Sequence, residues 1–114
     1  MAFSEIELGH IKKLVGGLCE RRTRPDLREQ LRLEYRVKGH DVIVFERRPN
    51  WDGSPGHTEI NVAKLKFNRR AGEWHLLWQR ADMRWHGYEP VAQGRSLSRL
   101  VDEIDEDPYG CFFG

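Results

Sequence analysis

Nine basic side chains, Arg32, Arg36, Lys38, Arg47, Arg48, Lys64, Lys66, Arg80 and Arg84, recur through the middle of the chain among tryptophan, tyrosine and histidine. Cations interleaved with rings can follow a phosphate backbone and stack unpaired bases, so a nucleic-acid surface is the first chemistry these types allow. The same arginines alternate with Glu34, Glu46 and Glu59, which equally fits cross-strand ion pairs on the wet face of an antiparallel sheet. The formal charge of the whole chain is only +1, far from that of a strongly basic nucleic-acid binder.

A second chemistry could be assembled from Asp41, Glu46 and Lys64, with Glu20 upstream. Two carboxylates holding a divalent ion beside a lysine would resemble a metal-dependent nuclease. The offset from Asp41 to Glu46 is odd, however, and on one strand it sends the side chains to opposite faces unless a bulge intervenes. His40, His57, His75 and His86 offer bases or ligands, but no C-x-x-C, H-x-H or H-E-x-x-H spacing occurs, nor any glycine-rich phosphate loop or nucleophile elbow. No catalytic residue, metal site or cofactor is therefore expected. The tract Arg80–Tyr88 gathers Asp82, Arg84, Trp85 and His86 around one tight turn; its simplest account is a hairpin whose Asp82 accepts backbone hydrogen bonds and whose Trp85 fills the core. If the chain binds something, the expected residues are Arg36, Arg47, Arg48 and Trp51, together with Arg80, Asp82, Arg84 and His86.

These side chains need a frame, and the spacing supplies one. Ser4 is a helix N-cap, Glu7 completes a capping box, and Phe3 can staple onto Leu8. Leu8, Ile11, Leu14, Val15 and Leu18 follow at helical spacing, with Gly16-Gly17 read as a close approach to a sheet and Pro25 as a break before a short turn through Asp26–Gln30. Leu31, Leu33, Tyr35 and Val37 alternate with charged residues, and residues 31–48 read as a hairpin turning at Gly39-His40-Asp41. Residues 50–57 form a loop. The next strand, about Thr58 to Asn68, changes phase between Val62 and Ala63, which a bulge would reconcile. Trp74, Leu76 and Trp78 make the apolar face of a fourth strand, and Met83 and Trp85 share a face in a fifth. Pro90 to Arg95 is a connector, Ser96 caps a second helix with Leu97, Leu100, Val101 and Ile104 as its apolar edge, and the apolar tail from Tyr109 to Phe113 is expected to pack on the core.

The 114 residues suffice for one domain, 1–114, without disulfide or metal. The two cysteines, Cys19 and Cys111, read as reduced thiols of a cytoplasmic protein, and no stretch approaches a membrane span. Charge is uneven: residues 1–95 hold 18 basic and 13 acidic groups, whereas residues 96–114 set Arg99 alone against five carboxylates. That acidic cluster sits at the wrong end of the second helix for its dipole, so a positive neighbour is expected, the basic sheet face being the obvious one.

Several stretches carry a family likeness: Cys19–Thr23, Gly39–Pro49, Val62–Leu65, Arg80–Tyr88 and Ile104–Gly114. Over nearly its whole length the chain resembles a family of small bacterial proteins known only as a domain of unknown function, number 3024 of that series. The resemblance implies a free-standing bacterial protein and brings no assigned catalytic or binding residue with it. The expectation is an α+β fold, an antiparallel four- to five-stranded sheet with an N-terminal and a C-terminal helix on one face. Its role is read as a non-catalytic module using the basic-aromatic sheet face for nucleic acid or a protein partner. A nuclease-like enzyme around Asp41, Glu46 and Lys64 and a homodimer formed through an unpaired sheet edge are the alternatives.

Overall fold

The computed structural model describes residues 3–23 and 31–114; the break read at Pro25 and the turn through Asp26–Gln30 lie outside the described residues. Helix α1 spans Glu5–Arg22 and α2 spans Leu97–Glu106. Between them run β1 (Arg32–Lys38), β2 (Asp41–Pro49), β3 (His57–Asn68), β4 (Glu73–Gln79), β5 (Trp85–Gly87) and β6 (Gln93–Gly94). All pairings are antiparallel, in the order β1-β2-β3-β4-β5, with β6 also on β4. The fold is α+β as expected. The additional strand is the two-residue β6, inside the stretch read as a connector, where a 3-10 turn at Glu89–Val91 lets Ala92 accept the Leu76 N–H at 2.9 Å.

Helix α1 begins as its sequence dictates: Glu7 N–H donates to Ser4 Oγ and Ser4 N–H donates back to the Glu7 carboxylate. Its buried stripe is Ile11, Val15, Leu18 and Cys19. Leu8 stands 40 % exposed, while Phe3 is buried beside Trp74, 5.6 Å between ring centroids, and against Phe67 and His40. A methyl added at Gly16 would meet the Tyr35 ring at 3.5 Å, an ordinary contact, so close approach does not require the glycine pair.

The bulge at Val62 is present. Val44 pairs Ala63 but Phe45 pairs Asn61, which leaves Val62 as the extra residue. Ala63, Leu65 and Phe67 then share the helix side with Ile60 and Val62, and Val62, Ala63 and Leu65 are buried. On that side both helices join Leu33, Val42, Val44, Trp74 and Leu76 in one core. The β4–β5 turn reverses two expectations. Met83 sits in the turn at φ +65°, and Trp85 pairs Gln79 on the opposite face of the sheet. The core position falls instead to Tyr88, which is fully buried.

The C-terminal tail folds back because Asp107, in the left-handed region at φ +44°, accepts the backbone N–H groups of Phe112 and Phe113 at 3.1 and 2.8 Å. Phe112 packs 4.9 Å from Tyr88 and Arg22 stacks over Phe113. The acidic end of α2 is answered by α1 rather than by the sheet: Asp105 pairs with Arg21 at 3.3 Å and with Arg22 at 3.1 Å. Because Phe112 is buried and Tyr109 is 69 % exposed, Phe112→Ala should cost about 3 kcal/mol in urea denaturation and Tyr109→Ala less than about 0.5 kcal/mol. Equal losses would show that the tail is not fastened in this way.

Candidate functional site

Register divides the expected site residues among faces. Side chains of paired residues share a face, so four cross-strand rows cover the side of the sheet away from the helices. One row is Lys38, Asp41, Lys66 and His75; the next is Arg36, Ile43, Lys64 and Leu77. Further along lie Glu34, Phe45 and Asn61, and then Arg32, Arg47 and Glu59. No described helix packs on this side, whereas both helices share the core cluster on the other.

Most arginines on this open face are already engaged. Arg36 donates to Glu59 at 2.5 Å and lies over the Phe45 ring, 4.2 Å from its centroid. Arg32 and Arg47 flank Glu34 at 4.0 and 3.8 Å. One oxygen of Glu34 is buried without a hydrogen-bond donor, so these two guanidinium groups are its only described compensation. Lys64 lies 3.6 Å from Asp41 and over the Trp85 ring, 5.8 Å from its centroid. Among the described residues, Lys38 and Lys66 have no carboxylate within 4.0 Å, and both are exposed.

The other expected residues are scattered. Arg48 lies on the helix side, paired with Glu46 at 2.6 Å. Trp51 stands 96 % exposed in the loop beyond β2. At the far edge Asp82 accepts the Arg84 N–H at 2.9 Å and bonds His86 Nε2 at 2.9 Å, and Arg80 leans over the Trp78 ring. The hydrogen bond from Arg84 N–H, then the one with His86, holds the Asp82 carboxyl below its usual range. This is a turn tied to itself, with its acid, imidazole and backbone satisfying one another. The β1–β2 and β4–β5 groups lie toward opposite edges of the sheet, so the structure does not bring Arg36 and Arg47 together with Arg80, Asp82, Arg84 and His86.

The nuclease-like arrangement is overturned. Asp41 pairs Lys66 on the open face, while Glu46 pairs Leu33 and Ile60 on the helix side. The odd offset acts as the strand period requires, because the bulge lies in β3 and leaves β2 regular. Lys64 therefore meets one of the two carboxylates only. Among the described residues no cluster of three histidine, cysteine or acidic side chains forms.

The open face also carries a shallow cleft of 520 Å³ lined by Lys66, Phe67, Asn68, Arg69, His75 and Leu77. Sequence reasoning placed Lys66 on the basic sheet and singled out His75 only as an unpartnered imidazole. Their shared row was the available signal, since Lys66 and His75 fall opposite each other once the β3–β4 turn is placed at Arg69–Gly72. Arg69 closes the cleft and faces away from it: it donates to both Glu7 oxygens at 3.2 and 2.9 Å and to His40 at 3.3 Å.

The family model Domain of unknown function (DUF3024) matches residues 3–114. The chain belongs to that family. No curated protein and no solved structure matches it. In this DUF3024 chain no described helix is long and apolar enough to cross a membrane. Both cysteines are free, and burial pushes the Cys19 thiol up to about 12, which makes it a poor nucleophile.

The Glu7–Arg69 pair ties the start of α1 to the β3–β4 turn beside the cleft. The Arg69 hydrogen bond, reinforced by the Ser4 backbone N–H, holds the Glu7 carboxyl at about 2, against an ordinary value of 4.5. A depressed folded-state value means that the stabilisation is complete above 4.5 and is lost as pH falls through about 2. Melting temperatures of the native chain and Glu7→Gln should therefore differ at pH 7 and converge near pH 2. A gap that persists unchanged to pH 2 would show that ionisation of Glu7 has no part in it.

Proposed function

We propose that this is a cytoplasmic, non-catalytic binding module that lays its open sheet face along the backbone of a nucleic acid. The observation that carries the reading is the exposed pair Lys38 and Lys66, flanking Asp41 in one cross-strand row and lacking carboxylate partners among the described residues. Lys64, Arg36 and the half-buried His75 stand beside them. The rings on this face are already covered by the chain's own cations, Phe45 by Arg36 and Trp85 by Lys64, which favours charge-led contact over base stacking and implies little sequence preference. Two free thiols are in keeping with a reducing compartment.

The test is a titration with short single- and double-stranded RNA and DNA between low and moderate salt. With two or three phosphates neutralised, the log–log salt slope on a single strand should be about −2. Lys38→Glu with Lys66→Glu should abolish binding without unfolding the chain, since both side chains are exposed. Absence of saturable binding to any of the four at low salt would end the reading.

One observation favours a second reading, self-association through a strand edge. β4 pairs β3 only over Lys64–Asn68, so among the described residues β3 from His57 to Asn61 has a strand neighbour on the β2 side alone, with Ile60 43 % exposed. Free backbone groups along such a length can pair with a second copy. Sedimentation should then show a dimer that Ile60→Lys converts to monomer; a monomer at every concentration would remove this reading.

A further inference from the structure

Away from the open face, a separate trench of 310 Å³ runs where the first turns of α1 meet the end of the sheet and the start of α2. Its walls are Ile6, Ile11, Phe67, Trp74 and Leu97, and Arg95 stands at its rim. Ile6 is 87 % exposed, an isoleucine that burial of the fold leaves unused and that forms an apolar lip on the trench. Glu7 also borders it, but both of its oxygens are taken by Arg69. Arg95 has no carboxylate within 4.0 Å among the described residues.

We infer that this trench binds a small monocarboxylate with an apolar tail, the tail lying against Trp74, Ile11 and Leu97 and the carboxylate meeting Arg95. The argument is one of complementarity. Ile6 forms an exposed apolar lip over a floor of nearly buried Ile11, Trp74 and Leu97 with Phe67 alongside, and the unmatched Arg95 guanidinium offers a planar fork for one carboxylate. The volume lies at the small end of ligand sites, about 300–1,000 Å³, which limits the ligand to a short or medium chain. Phe67 borders both hollows, but the residues with free functional groups at the trench, Arg95 and His10, belong to neither the lysine row nor its cleft.

The test is an NMR titration of the full chain with octanoate, octanol and octylamine, following the Trp74 indole N–H and the methyl groups of Ile6 and Ile11. Octanoate should give saturable shifts confined to these groups and bind more tightly than the alcohol or the amine. Arg95→Gln, at an exposed position, should weaken octanoate about tenfold and leave octanol unchanged. Three results would each overturn the inference: no saturable shift at the trench, shifts spread over the whole sheet, or equal affinity for octanoate and octanol.

Discussion

One surplus residue in β3 decides which side of this sheet is dry. Paired regularly, with no bulge at Val62, the apolar residues of β3 would fall on two faces, Ile60 and Val62 on one and Ala63, Leu65 and Phe67 on the other, because side chains alternate with period two. The bulge at Val44/Phe45 absorbs the phase change, and every large apolar residue of the strand turns toward the helices. One continuous apolar face is then offered to α1 and α2, with Lys64 and Lys66 on the other side. Deeply buried Ala63 and Leu65 alternate with open-face Lys64 and Lys66 beside them.

A second constraint is the way the chain spends its charge. The acidic end of α2 draws Arg21 and Arg22 of α1 onto Asp105, and Asp107 turns its carboxylate on the tail's backbone N–H groups. Glu103, buried on α2, is held by the Tyr88 hydroxyl at 2.8 Å and by Arg99 at 3.3 Å. Burial first, and then this bond, push the Tyr88 hydroxyl upward in pKa, so the pair is a fastening between α2 and the end of the sheet. A carboxylate so enclosed is tolerable only with both partners in place.

The helices, the bulge, the apolar edge of α2 and the docking of the tail were legible in the sequence because each is written in local spacing. Capping boxes, period-two runs and their phase slips need no knowledge of the rest of the chain. What escaped was set by partners distant in sequence. Trp85 looked like a core residue until its pairing with Gln79 turned it outward, and Tyr88 took the core position because the strand ends one residue earlier, at Gly87. The compensator of the acidic helix end was misplaced for the same reason, since the contact from Arg22 to Asp105 spans 83 positions. The candidate site suffered most, as Arg36, Arg48 and Arg80 are alike in sequence and occupy the open face, the helix side and the far edge.

The difference between arginine and lysine explains why counting basic residues misjudged the open face. Arginine presents a flat fork that matches a carboxylate or lies over a ring, and on this sheet it does both: Arg36 toward Glu59 and Phe45, Arg32 and Arg47 toward Glu34. Lysine is a compact, strongly hydrated charge that gains little from a partly exposed pair, and Lys38 and Lys66 stay in water. On this face the arginines tie strands to one another, Lys64 is paired with Asp41, and Lys38 and Lys66 are left hydrated. Arg95, like Arg70 and Arg84, has no carboxylate within 4.0 Å among the described residues, and an apolar trench opens beside it.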